Sequence, residues 1–168
     1  FVDMSAWDQC VQPTLTPTLE RIPIYVGVDA SVKRDSTALV AVTFDKKAQV
    51  VRLVQHRVFT PAPGDPINFE ATVEATIIDW RRRFVLRQVL FDPFQMAAVS
   101  QRLAKAHVPI EEYPQSVPNL TAATSNLFDL IQSRSIALYS DAAMRLGAGA
   151  AVVPSTAVSP SGPTRMSP

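Results

Sequence analysis

Between Pro23 and Pro61 the chain carries no proline, and three short apolar runs fill that stretch: IYVGVDA (24–30), TALVAVTFD (37–45) and VVRLVQHRVF (50–59). Runs of this length, rich in β-branched residues, suit strands buried on both faces. Asp45-Lys46-Lys47, between the second and third runs, is a turn signal and predicts a hairpin. The loop VKRDS between the first and second is equally short, so those two are expected to be antiparallel neighbours too. No other feature constrains the fold so tightly, because an antiparallel three-strand meander must open the folded body.

The period then changes. Asp65-Pro66 predicts a helix start, with Asp65 as N-cap and Pro66 in the first helical position. Phe69, Val73, Ile77, Trp80 and Phe84 follow on one helical stripe. LRQVLFD (86–92) predicts a strand ending at Asp92, and Pro93 starts a second helix with Met96, Val99 and Leu103 on one face. VPIEEYP (108–114) is a short extended piece. A third helix, from about Asn119 to Gln132, carries Leu120, Leu127 and Ile131. Ser140 is placed to cap a last short helix, DAAMRL, which is expected to stop at Gly147. An antiparallel three-strand meander followed by alternating helices and strands predicts an α/β fold, a mixed sheet flanked by helices.

The chain divides into three zones. Residues 1–22 hold Trp7 and Cys10 in SAWDQCV, then VQPTLTPTLERIP with Pro13, Pro17 and Pro23. Proline at that density predicts an extended, helix-free strap, a linker or edge segment lying on the domain. Residues 23–146 are the folded body. Residues 147–168 hold four of the fourteen prolines and no periodicity, the composition of a disordered tail. Phe1 in place of Met suggests a chain that begins partway through a longer reading frame or one that was trimmed.

Composition removes several classes. At 168 residues the chain is long enough to bury a core without a disulfide or metal staple. A net charge of +1 excludes a polybasic arm or an acidic tail as the main feature, so any nucleic-acid binding must use a local patch. One cysteine, Cys10, permits neither an internal disulfide nor a Cys-based zinc site. No apolar run approaches the ~18 residues of a membrane span, and no signal peptide is visible.

The nucleotide motifs GxxxxGK[ST] and GxGxxG are absent, as is GxSxG. His56 is expected on the solvent face of its strand, and His107 at a helix end where a cation favours the dipole. Asp29 and Asp92, by contrast, each end an apolar strand, 63 positions apart. Ligands of open α/β sheets collect outside the carboxyl ends of strands. If the first and fourth strands are neighbours, the two carboxylates converge. Such a pair of hard oxygen ligands suits Mg²⁺ or Mn²⁺, and two ions can activate a water and stabilise the leaving oxygen of a phosphodiester. Asp92, before a proline and a helix, also fits an N-cap, and Asp29 also fits a turn. Asp35 is either support for the metal site or an ion-pair partner of Lys33 or Arg34. Glu70 and Glu74 read as a solvated helix face. Arg81, Arg82, Arg83 and Arg87 form the one basic cluster, either a solvated helix end or a phosphate-contacting patch.

GVDASVKRDSTALVAV, and then VLFDPFQMAAVSQRLAKAHVPIEEYPQSVPNLTAATSNLFDLI, resemble the nuclease domain of the large terminase subunit of tailed phages. The pieces that carry the likeness are Asp29 followed by the turn of Lys33, Asp35, Thr37 and Ala38, then Asp92-Pro93 with Gln95. Gln115, Asn119, Thr121 and Asn126 continue it, and SAWDQCV resembles the Trp-x-x-Cys segment joining that family's motor and nuclease domains. The resemblance spans roughly residues 5 to 146. It implies a ribonuclease H-like fold and a metal-dependent endonuclease that cuts concatemeric double-stranded DNA, with Asp29 and Asp92 holding two Mg²⁺ or Mn²⁺ ions. It implies Lys33 and Arg34 as nucleic-acid contacts, and the terminase ATPase domain, small subunit and portal as partners in the cytoplasm of a bacterial host. A phage or prophage origin follows from the same likeness.

Two departures stand out. Nothing here resembles the family's upstream ATPase motor. The family's third acid comes from a C-terminal helix, yet no acid follows Asp141. The alternative reading is therefore a catalytically impaired remnant that only binds DNA or packaging partners. A transposase or junction resolvase of the same fold is disfavoured by the Trp-x-x-Cys lead-in and the Lys-x-Asp-x-Thr-Ala turn.

Overall fold

The predicted meander forms β1 (Pro23–Asp29), β2 (Thr37–Asp45) and β3 (Val50–Phe59), paired antiparallel in chain order. The structure, a computed structural model, describes residues 2–31 and 36–150. Asp45 closes the β2–β3 hairpin by accepting the N–H groups of Lys47 and Ala48 at 2.9 and 3.1 Å. Along β1 the side chains alternate strictly. Ile24, Val26 and Val28 are buried, whereas Tyr25, Gly27 and Asp29 are exposed. The strand is therefore covered on one face and open on the other, which corrects the expectation of burial on both. A run such as IYVGV looks continuous only because Tyr25 and Gly27 on the open face are not charged.

β4 (Val85–Phe91) joins β1 in parallel, β5 (Ile110–Glu112) joins β4, and β6 (Ile136–Ala137) joins β3. The order is β5-β4-β1-β2-β3-β6, a six-stranded mixed sheet. At two residues β6 is too short to show a period, which is why the sequence does not reveal it.

On the closed face the helical stripe packs as predicted. Phe69, Val73, Ile77, Trp80 and Phe84 join Ile24, Val26, Val28, Val89 and Phe91 in one core. The helix itself starts later than Asp65. A π-helical turn, Glu70–Glu74, leads into α2 (Ala75–Arg83), and Asn68 caps it by accepting the N–H groups of Glu70 and Ala71. Asp65 instead closes a turn with Ala62 around Gly64 (φ 78°), a backbone angle that glycine reaches without strain. α3 (Ala97–Lys105) places Met96, Val99 and Leu103 in the same core. Glu70 is solvated as expected, with Arg102 on α3 at 3.8 Å, whereas Glu74 is largely covered and pairs with Arg102 at 2.7 Å.

A second core lies under the β3–β6 half of the other face. Trp7, Cys10, Leu53, Ile131, Ile136, Leu138 and Tyr139 form it. Trp7 and Cys10 come from α1 (Met4–Cys10), so the first residues are not a helix-free strap. The prolines of that segment all follow residue 12, and Asp3 caps α1 through the N–H of Ser5. α4 (Val117–Gln132) is capped by Ser116 and reaches this core through Ile131. α5 (Ala142–Ala150) runs through Gly147 rather than stopping there. Asp141, not Ser140, is its cap, accepting the N–H of Met144 at 2.7 Å. Arg145 of α5 clasps Asp8 of α1 with two hydrogen bonds of 2.7 Å.

His56 is not a solvent-face residue. Its side chain is only 18% exposed, its Nδ1 lies 2.5 Å from the Tyr139 hydroxyl, and its Nε2 lies 3.6 Å from Asp141. His107 is exposed just past α3, at φ 57°. No helix among the described residues is long and apolar enough to cross a membrane.

Candidate active site

β1 and β4 are the central parallel pair, and their register sets Val28 opposite Phe91. The next residue on each strand is Asp29 on one and Asp92 on the other. Neighbouring strands lie about 4.8 Å apart, so the two carboxylates emerge side by side at the carboxyl edge of the sheet. They were 63 positions apart in the chain, and the parallel crossover through α2 brings them together.

Among the described residues each carboxylate is held by one neighbour. Gln115, in the link between β5 and α4, donates its amide N–H to Asp29 Oδ1 at 3.3 Å. Asp92 Oδ1 accepts the backbone N–H of Phe94 at 3.3 Å, so Asp92 caps the turn after β4 rather than α3 itself. The far side of the Asp29 loop is pinned by Thr37. Its buried hydroxyl donates to the Ser31 carbonyl at 2.7 Å and accepts the Ser31 N–H at 3.0 Å. Thr37 belongs to the motif noticed in the sequence, but nothing in the sequence marks it as a buried brace.

Both aspartates line a cleft of about 540 Å³ between the open sheet face and α4. Its floor includes Gly27, Val40 and Leu90, and α4 supplies Leu120, Ala123 and Asn126. Apart from the two carboxylates and Tyr113, whose hydroxyl donates to the Asn119 carbonyl, its lining is apolar or amide-bearing, and no lysine or arginine among the described residues contributes to it. α4 stands off the sheet here, with Leu120 44% and Leu127 38% exposed, while Ile131 further along the helix is buried.

The other residues of the sequence motif scatter. Asn126 and Gln115 line the cleft. Asn119 braces the link before α4, donating its amide to the Pro114 carbonyl while its own carbonyl accepts from Tyr113. Gln95 and Thr121 are exposed and line no part of the cleft. Lys33, Arg34 and Asp35 lie outside the described residues. Asp141 is occupied with His56 and the α5 cap, and it does not line the cleft. No group of three or more His, Cys, Asp or Glu residues suited to a metal occurs among the described residues.

A mixed sheet with two acids at the carboxyl ends of its central parallel strands defines a class of folds built to act on ligands at that edge. No family model and no curated protein matches the sequence. Solved structures do match. The large terminase of bacteriophage HK97 superposes with a TM-score of 0.70 at 18% identity, over 86% of this chain and 35% of that one. The large terminase nuclease of thermophilic phage G20c with bound zinc superposes with a TM-score of 0.67 at 12% identity, over 89% of this chain and 87% of that one. The same nuclease with bound magnesium gives a TM-score of 0.63 at 13% identity, over 84% of this chain and 76% of that one. The chain thus has the ribonuclease H-like fold of large terminase nuclease domains, as the resemblance in its sequence implied. It spans about a third of the length of the HK97 terminase.

Proposed function

We propose that this chain is the nuclease domain of a phage DNA-packaging terminase and that it hydrolyses phosphodiesters of concatemeric double-stranded DNA with a divalent cation. The observation that carries the reading is the pairing of Asp29 and Asp92 at adjacent strand ends, in an open cleft. The donor set fits a hard ion, since two carboxylates offer only oxygen and leave room for water and phosphate. Mg²⁺ or Mn²⁺ held there as a pair supplies activation of a water and neutralisation of charge at the leaving oxygen.

The chain's own groups do the rest. Asp29 and Asp92 present acceptor oxygens at one edge. Gln115 orients Asp29 through one oxygen, and no described residue hydrogen-bonds the other, which would be the one to ligate. The Phe94 N–H does the same for Asp92. The apolar walls from Val40, Leu90 and Leu120 limit the water that competes for the carboxylates. Asp35 would add ligand charge, and Lys33 and Arg34 would meet phosphates from the same loop. Residues 1–22 are the lead-in from a motor domain in this reading, 23–146 the nuclease and 147–168 a tail. The ATPase domain, small subunit and portal are its partners, in the cytoplasm of a bacterial host.

Nicking of supercoiled plasmid tests this directly. Wild type should nick in Mn²⁺, and in Mg²⁺ more slowly or equally. EDTA, Asp29→Ala and Asp92→Ala should each abolish nicking. Wild-type protein that folds but nicks in neither metal would sink the reading.

A further inference from the structure

The cleft poses an electrostatic problem. Its lining carries two carboxylates and, among the described residues, no cation, so it repels the polyanion it is proposed to cut. Affinity has to come from elsewhere on the surface.

Unpaired cations gather at the opposite end of the same sheet. Arg21 lies two residues before β1, whose first residue, Pro23, pairs with Val85 of β4. Arg82 lies in the last turn of α2, three residues before Val85, and Arg87 lies two residues after it. Arg87 falls at the β1–β4 register shift, where Ile24 pairs with Leu86 and Tyr25 with Gln88. It lines a shallow groove of about 430 Å³ with Tyr25, Gln88 and Glu111. All three arginines are exposed, and none makes an ion pair or side-chain hydrogen bond among the described residues.

Of the nearby acids, Asp79 is held by Arg83 at 2.6 Å, whereas Glu111 accepts the neutral Gln88 amide at 2.5 Å and keeps its charge in the groove, and Glu20 adjoins Arg21, so the three arginines outnumber two unpaired acids. Arg81 is spent on the Ala106 carbonyl. Cations in a last helical turn complement the helix dipole, which accounts for Arg81–Arg83. It does not account for Arg21 and Arg87, which lie on or beside strands.

We propose that Arg21, Arg82 and Arg87 form a second contact for the backbone of duplex DNA, at the end of the sheet opposite Asp29 and Asp92. The choice of DNA as the polyanion rests on the nuclease reading above. β4 runs six steps from Val85 to Phe91, about 20 Å, so a duplex that touches both ends of the sheet spans about six base pairs between the arginines and the acids. Guanidinium groups suit phosphate because their donors are forked and always charged.

The test is fluorescence anisotropy with a labelled 30-base-pair duplex in EDTA, across a salt series. The combined variant Arg21→Ala, Arg82→Ala, Arg87→Ala should bind at least tenfold more weakly at 0.1 M salt. Its log–log salt slope should fall by about 2.7, the release expected for three phosphate contacts. A charge-matched control, Arg52→Ala, Arg57→Ala, Arg134→Ala, removes the same charge near the β3–β6 edge and should lose less than threefold. Unchanged melting temperatures would establish that both variants fold.

Equal losses in the two variants would overturn the proposal, since net charge alone would then explain binding. So would a wild type that does not bind duplex, or a patch variant that binds it like wild type. Poly-glutamate binding lost from the patch variant while duplex binding stays intact would also overturn it, in favour of an acidic protein partner. Binding in EDTA is independent of cleavage. A patch that passes while plasmid nicking fails condemns only the nuclease reading, and the converse condemns only the patch.

Discussion

Trp80, under one face of the sheet, is fully enclosed, whereas Val40, on the other face of the same sheet, is 40% exposed. On the closed side, α2 and α3 press a continuous apolar stripe onto β1 and β4. On the open side, the β3–β6 half is covered by α1 and the end of α4, but the β1–β2–β4 half is spanned at a distance by the rest of α4. Stability is concentrated where side chains interlock, and the two strand-end carboxylates are placed where they do not. The proposed action on a bulky polymer would need such an unpacked stretch of sheet.

The largest expected effect tests the closed side. Trp80→Ala should destabilise by about 3–5 kcal/mol, read from urea unfolding, because a large side chain leaves a cavity in a dense core. A loss below 1 kcal/mol would mean that this core is not close-packed. Thr37→Val comes next. It leaves the Ser31 carbonyl and N–H without their buried partner, and the cost should be about 1–3 kcal/mol. Nicking should fall as well, because the end of the Asp29 loop loses its brace.

A pH prediction separates the second core from the cleft. Burial, and then the charge of Asp141, push the Tyr139 hydroxyl up to about 12, although the His56 hydrogen bond and Arg57 act the other way. The unfolded tyrosine loses its proton near pH 10, so above that pH the folded state binds more protons than the unfolded state. Stability from this group is therefore intact below pH 10 and lost as pH rises toward 12. Urea titrations at pH 9 and 11 should show the fall in wild type. The slope should be weaker in Tyr139→Phe.

The smallest expected effect belongs to the open side. Leu120→Ser should change stability by less than about 0.5 kcal/mol, since the side chain is half in solvent. A loss of 2 kcal/mol or more would show that α4 closes onto the sheet in solution. Gly27→Val sharpens the same point. A Cβ at Gly27 meets nothing within 4 Å, so folding should be nearly unaffected while the added side chain obstructs the cleft floor and slows nicking.

Much of this architecture is legible locally. The three strand runs, and the spacing of Phe69, Val73, Ile77, Trp80 and Phe84, follow from backbone preferences that act over a few residues, whereas the one-sided burial of Ile24, Val26 and Val28 was masked by the uncharged Tyr25 and Gly27. The turn at Asp45 and the placing of Asp29 and Asp92 at strand ends are equally local. α1 escaped notice because three prolines dominate the composition of its zone, although none lies within the helix. Leu120 and Leu127 share a stripe with Ile131, but a stripe states only which residues face one way, not whether anything meets them.

Sequence alone thus determined most of the elements, though not α1 or β6, together with the meander and the two acids that end their strands. Tertiary structure decided that β4 lies beside β1, so that residues 63 positions apart share one edge. It also set Gln115 on Asp29, turned His56 inward to Tyr139, and separated the arginine cluster from the acids by the length of a strand. Periodicity is a property of neighbouring residues. Adjacency across a crossover is a property of which faces find each other when the whole chain buries its apolar surface.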